Sequence, residues 1–238
     1  MHLRNQESEL SKEYFLCMVM PAKNVEKYIS EAIKSYISHD RDDILLVVID
    51  DHSSDDTFKI CSELQSVNSS KILLKKNQGS GKVQAINYGF SLVRASYYKF
   101  VDADDLLKES FWRILEKNSL NNSSFVHPLE TVTEELVKIS LLPMPYQSNT
   151  NNKKNIKDLI LLPKVTWTFY KYDIDEMFPI PNGIPFEDIW FSLYVYAKNI
   201  NIVNETLPLY LYRQHANQTY GNVKNINEER TRFRYRRI

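Results

Sequence analysis

The first hundred residues alternate between short apolar runs and stretches in which apolar residues recur at every third or fourth position. YFLCMVMP (Tyr14 to Pro21), ILLVVIDD (Ile44 to Asp51), KILLKK (Lys71 to Lys76) and YYKFVDADD (Tyr97 to Asp105) are too short and too β-branched or aromatic for buried helices, so they are predicted strands. Between the first two, EKYISEAIKSYIS sets Tyr28, Ile29, Ala32, Ile33, Tyr36 and Ile37 at the spacing of an amphipathic helix. SSDDTFKICSELQ predicts a second helix, with Ser54 as N-cap and Asp55 and Asp56 in its first turn, and KVQAINYGFSLVRA a third. Such alternation builds βαβ units on a mostly parallel, buried sheet, and the expected class is α/β. In such sheets ligands bind outside the carboxyl ends of the strands, where Asp50, Asp51, Asp102, Asp104 and Asp105 all fall.

The second half is less regular. SLLPMPYQSNTNNKKN (Ser140 to Asn155) reads as a surface loop, KVTWTFYK as a strand and FPIPNGIPFED as a Pro/Gly loop. EDIWFSLYVYAKN then predicts a helix and LPLYLYR a closing strand, with no internal repeat.

Composition adds boundaries to this picture. The 238 residues, 43% hydrophobic and 25% charged, fit one large domain or two small ones. Thirty basic residues balance thirty acidic ones, so no overall field recruits nucleic acid. The C-terminal EERTRFRYRRI is the exception: it interleaves Arg230, Arg232, Arg234, Arg236 and Arg237 with Phe233 and Tyr235, which suits either an anionic membrane surface or a solvated tail. Cys17 and Cys61 have no paired spacing and sit in apolar segments, which speaks against a disulfide framework or a zinc site. The polar N-terminus lacks a signal-peptide core, and no stretch nears the about 18 apolar residues of a spanning helix. The expected location is cytoplasmic, with the tail as a peripheral contact at the inner face of the membrane.

The acidic strand ends raise the chemical question. Asp102 and Asp104, if the chain stays extended, point the same way and can hold one divalent cation, with oxygen ligands suited to magnesium or manganese; the same residues also suit a solvated turn. Asp50 and Asp51 carry the same two readings. NQGSGKVQAINYG fails the Walker spacing and lacks G-x-G-x-x-G, leaving Lys82 at a helix start, a place for an anionic group. Glu187 and Asp188 open a helix, as a dipole pair or as a general base. Arg213 and His215 follow a strand and can meet phosphate oxygens or form an ordinary exposed loop.

Taken in order, VMPAKNVEKYISEAIKSYIS, VVIDDHSSDDT, FVDADD, FED and YLYRQH resemble the family-two glycosyltransferases of GT-A fold, over about Phe15 to Thr219. The resemblance implies a single GT-A-like domain with a Rossmann-like, mostly parallel central sheet flanked by helices and a smaller acceptor-side C-terminal part. Residues 14–105 would bind the nucleotide-sugar and residues 106–220 the acceptor and the base, with tails at 1–13 and 221–238. It implies an inverting, metal-dependent, hexosyltransferase-type enzyme using a UDP-sugar, Mn2+ or Mg2+, and a glycan or lipid-linked acceptor in cell-surface polysaccharide synthesis.

By the same resemblance Pro21, Ala22 and Asn24 line the nucleotide pocket and Asp51 contacts the base. Lys82 lies near the diphosphate or the base, Asp102 holds the ribose or shares the metal, and Asp104 is the principal metal ligand. Asp188 is the catalytic base beside Glu187 on the acceptor side, and Arg213 and His215 lie near the diphosphate. TWTFYK departs from the family's Gly-rich strand, so the acceptor contact implied for Trp167 rests on a divergent segment. Two other readings stand beside this one. A haloacid-dehalogenase-type phosphatase also ends a strand on D-x-D, but on its first strand rather than its fourth. A catalytically silent sugar-nucleotide-binding module would leave Asp104 and Asp188 without a task.

Overall fold

Two strands with no polar face set the architecture. β1 (Glu13–Ala22) and β2 (Ile44–Asp50) are apolar on both sides, so each needs cover above and below. In the computed structural model, which describes residues 12–142, 162–184 and 186–216, alternate residues of β1 enter two different cores. Leu16, Met18 and Met20 pack with α1 (Ile29–Tyr36), α2 (Thr57–Val67) and α4 (Ser110–Ser119); Cys17 and Val19 pack with α3 (Lys82–Ser91) and α5 (Glu187–Ala197). The helices therefore lie on both faces of the sheet, as a period of two demands.

The central sheet has seven strands in the order β10-β6-β9-β4-β1-β2-β3. These include β3 (Ile72–Lys76), β4 (Arg94–Phe100), β6 (Ser124–Val126), β9 (Trp167–Tyr170) and β10 (Ile202–Asn204). All run parallel except β9, which is antiparallel to both β4 and β6. The α/β expectation holds, with the first three strands close to their predicted bounds, whereas the fourth, expected at Tyr97 to Asp105, runs Arg94–Phe100 and ends before the acidic residues. The chain direction across the sheet reverses between β1 and β4, which opens a crevice at their carboxyl ends. Because β9 runs backwards, its leading residues, the 3-10 turn Lys164–Thr166, arrive at that same edge.

A second sheet, β5-β11-β7-β8, was not foreseen. It comprises β5 (Leu106–Leu107), β7 (Leu129–Val132), β8 (Lys138–Leu142) and β11 (Tyr210–Arg213). β11 pairs with β5 directly after the acidic turn and so carries the residues beyond Arg213 back to it. The Ser54 cap is corrected: Ser54 donates its N–H to Asn24 Oδ1 (2.8 Å), and Asp55 Oδ1 accepts the Thr57 N–H at 3.0 Å instead. Most of the Ser140 to Asn155 loop and the whole basic aromatic tail lie outside the described residues. Among the described residues no helix is long and apolar enough to cross a membrane.

Gly89 is the contact point of α3 with the sheet. A Cβ there would stand 2.6 Å from Val19 Cγ1 and 3.1 Å from Ile49 Cγ1. Gly89→Val is expected to cost about 1–3 kcal/mol by overpacking, read from urea unfolding midpoints; an unchanged midpoint would mean that the helix is free to lift.

Candidate active site

The acidic turn begins where β4 ends, at Phe100, and the chain is already turning at Ala103 and Asp104. The two carboxylates therefore do not lie along an extended strand, and they diverge. Asp102 Oδ1 receives Lys82 Nζ at 2.9 Å and also the ammonium of Lys164. Burial opposes its charge, yet Lys164 and Lys82 hold the Asp102 carboxyl well below the usual carboxylate range. Both ammoniums meet Asp102 at the same oxygen, Oδ1. Its main chain is clamped as well: Tyr36 OH donates to Asp102 O (2.8 Å), and the Asp102 N–H donates to Tyr210 OH (3.1 Å).

Asp104 turns the other way, to His215, with Nε2 3.0 Å from Oδ2. Asp105 secures this arrangement, since its Oδ1 accepts the Arg213 N–H at 2.8 Å and so pins β11 to the turn. Burial, then the charges of Asp104 and Asp102, push the Asp105 carboxyl well up from its ordinary value. Arg213, expected beside the diphosphate, lies buried with its guanidinium 2.6 Å from Glu31 of α1 and 5.1 Å from the Tyr28 ring centroid.

The Asp104 carboxylate suits Mn2+ or Mg2+, and such an ion would take the place of the proton that joins Asp104 Oδ2 to His215 Nε2 at 3.0 Å. Imidazole Nδ1 of His215 is buried with no hydrogen-bond partner among the described residues, and the ring packs on Tyr28 with centroids 4.4 Å apart. No set of three or more potential ligands occurs among the described residues, so the rest of a shell would come from water and phosphate oxygens, the habit of these hard cations.

Across the crevice, Glu187 and Asp188 occupy the first turn of α5. Asp188 is half-buried; its Oδ1 accepts the Lys164 N–H at 2.6 Å, and its carbonyl accepts Ser192 Oγ–H at 2.9 Å. Desolvation, reinforced by the charge of Glu187, pushes the Asp188 carboxyl up to about 6, against the pull of Lys164 and Lys82. Glu187 is buried, with Oε1 3.2 Å from Lys82 Nζ and 3.8 Å from Lys164 Nζ; burial opposes its ionisation, but those lysines keep its carboxyl low. Its expected place among acceptor contacts is thus taken by an ionic one. Trp167 is also corrected: it is fully buried and stacked on Phe169 with centroids 5.5 Å apart, out of reach of an acceptor.

At the β2 end, Asp51 is buried and accepts three bonds: Asn77 Nδ2–H (2.7 Å) and the Gly81 N–H (2.9 Å) on Oδ1, and Lys23 Nζ (3.3 Å) on Oδ2. Burial works against its charge, and these donors still hold the carboxyl below its ordinary value. Gly81 supplies its N–H at φ 90°, a region that favours glycine. Pro21 and Ala22 end β1 beside the crevice, Ala22 O accepting the Asp51 N–H at 2.8 Å. Asn24, at φ 52°, spends its side-chain oxygen on Ser54, so it knits two loops together rather than facing a ligand with that atom.

Lys164 is the residue missed by sequence reasoning. Its signal was a lysine inside the apolar run LILLPKVTWTF, affordable only if paired. Lys99 escaped in the same way: fully buried in β4, it meets Val165 O at 2.7 Å and His127 Nε2 at 3.0 Å.

Comparison with known proteins gives this geometry its context. The profile of glycosyl transferase family 2 matches residues 17–175. The minor teichoic acid biosynthesis protein GgaB of Bacillus subtilis is 36% identical over 43% of this chain and 12% of GgaB. The glycosyltransferase GlyG of Streptococcus pneumoniae is 25% identical over 84% of this chain and 71% of GlyG. The structure of S. aureus TarS 1–349 in complex with UDP superposes with a TM-score of 0.66 at 20% identity, covering 84% of this chain and 60% of that one, which establishes the shared GT-A fold. This chain thus spans a small part of GgaB and about three fifths of that TarS fragment. The haloacid-dehalogenase reading falls away, because the matched family and the position of Asp102 after the fourth strand both oppose it. With more than half its length matched, the chain belongs to glycosyl transferase family 2.

Proposed function

We propose that the chain transfers the sugar of a UDP-sugar to a hydroxyl acceptor with inversion, in making a cell-surface polysaccharide or lipid-linked glycan. The observation that carries this reading is Asp188: a half-buried carboxyl with its affinity for protons raised to about 6, facing Asp102 and Lys82 across one crevice. A base poised near neutral pH takes the acceptor's proton as its oxygen attacks the anomeric carbon. On the opposite side the bond to the diphosphate breaks, and the electron pair leaves with UDP. Attack from the face opposite the leaving group inverts the anomeric centre.

The nucleotide is assigned to the Asp51 end. Asp51 Oδ2 is capped only by Lys23, an exposed side chain that can swing aside for a base N–H. Asp102 takes a ribose hydroxyl at the crevice. Asp104 and His215 would hold Mn2+ or Mg2+, and the chemistry such an ion would supply is neutralisation of charge on the diphosphate. Lys82, 43% exposed at the start of α3, can reach the same oxygens. A neighbouring structure, TarS 1–349, is solved with UDP-GlcNAc, and a mannosyltransferase from Pyrobaculum calidifontis with GDP-Man and Mn2+. The teichoic acid relatives support the polysaccharide assignment.

UDP with Mn2+ is expected to raise the melting temperature of the wild-type protein, and Asp104→Ala and His215→Ala to abolish that rise. A full shift in both variants would remove these two residues from the metal site. Asp188→Asn is expected to keep the UDP shift while lowering transfer by about 10²–10⁴-fold, measured as UDP release with acceptor present. UDP binding with no turnover in the wild type, given a panel of donors and acceptors, would favour a silent binding module.

The same variant tests the titration. A carboxyl raised from 3.8 to about 6 stabilises the fold fully below its unfolded value, and that contribution is lost as pH rises through about 6. Asp188→Asn carries no charge at any pH. Its stability relative to wild type is therefore expected to climb between pH 4 and pH 7 and then level, in urea melts; a constant difference would deny the raised value.

A further inference from the structure

We propose that Lys164 is a positioning residue that holds the base and the donor-side carboxylate in one frame and, as their resident counter-cation, releases Lys82 toward the leaving diphosphate. The proposal rests on the glycosyl-transfer reading of the site. One residue touches three carboxylates of the crevice, those of Asp102, Glu187 and Asp188. The Lys164 ammonium pairs with Asp102 Oδ1 and lies 3.8 Å from Glu187 Oε1, while its main-chain N–H is 2.6 Å from Asp188 Oδ1.

The division between the two lysines follows from exposure. The Lys164 side chain is 2% exposed and Lys82 is 43% exposed, yet both serve Asp102 and Glu187. Were Lys82 the sole partner, its departure toward a phosphate would leave two largely buried carboxylates uncompensated, a costly state. With Lys164 fixed in place, Lys82 can move and the pairing survives.

The turn that carries Lys164 is itself anchored from below. Val165 O accepts a bond from Lys99 Nζ at 2.7 Å, and Lys99 Nζ stands 3.0 Å from His127 Nε2. His127 Nδ1–H donates to Pro128 O at 2.8 Å, so Nε2 is the acceptor. Burial, then the charge of Lys164, lowers the Lys99 proton affinity well below its ordinary value. Two of the Lys99 N–H groups are used by these two acceptors.

The charged groups around Asp188 are Glu187 alongside it on α5, Lys164 from the turn before β9 and Lys82 from α3. In protein labelled with 13C at aspartate carboxyls, Asp188 is expected to titrate near 6 in the wild type, assigned by its absence in Asp188→Asn. Lys164→Met is expected to move that titration to about 7 or higher, and Lys164→Arg to leave it near 6. By calorimetry with UDP and Mn2+, Lys164→Met is expected to weaken binding about tenfold, since Lys82 is then retained by Asp102 and Glu187. A cooperatively folded Lys164→Met with unchanged titration and unchanged UDP affinity would overturn the proposal. Should that variant not fold, Asp102→Asn with Lys164→Met removes both partners of the ion pair, and the same upward movement of Asp188 is required there. Failure of the wild type to bind UDP with Mn2+ counts against the glycosyl-transfer reading, and the NMR titration alone then decides the role of Lys164.

Discussion

Everything at the crevice depends on keeping Asp102 ionised at the rim of an apolar sheet. A carboxylate there is tolerable only with cations and donors of its own, and the fold brings them from separate parts of the chain. Lys82 comes from the start of α3 and Lys164 from the turn before β9, while Tyr36 of α1 and Tyr210 of β11 clamp the peptide groups on either side. Those contacts span most of the described length. The one reversed strand in the central sheet is what makes this possible, since only an antiparallel neighbour of β4 delivers its leading residue to the carboxyl edge. The ion pair and the topology are thus one constraint seen at two scales.

Charge around the crevice is sorted by partner rather than by proximity in sequence. Asp102, Asp104 and Asp105 stand within four positions yet have three different fates: ion-paired with lysines, paired with an imidazole, and buried under a main-chain N–H. Glu187 and Asp188 divide in the same way, one held low by ammoniums and one raised to about 6. Adjacent carboxylates whose environments drive them apart are how a single pocket provides both a charged ligand and a proton acceptor.

The half of the fold built from long apolar strands was legible because burial on both faces leaves an unmistakable composition, as in ILLVVID of β2. The second sheet was not, since its strands run from two to five residues, β11 pairs with β5 and β7 across long sequence separations, and β8 is largely exposed. The acidic strand ends were legible as a site; their division of labour was not, because an extended D-x-D and a turned one have the same letters. Trp167 misled for a related reason. An aromatic in a divergent segment looks like a contact residue until the reversed strand places it inside the core.

Lysine inside an apolar run is the general form of what was overlooked. Lys99 and Lys164 both lie in sequences that read as core strand, and both are almost wholly removed from water, yet they solve the same problem in opposite ways. Lys164 reaches the carboxylates at the rim, whereas Lys99, in the neighbouring strand, meets a carbonyl, an imidazole and the rings of Phe111 and Tyr210, and burial lowers its proton affinity well below the ordinary value. Lys99 therefore serves Lys164 through the main chain, fixing at Val165 O the turn that sets the Lys164 ammonium where carboxylates can use it.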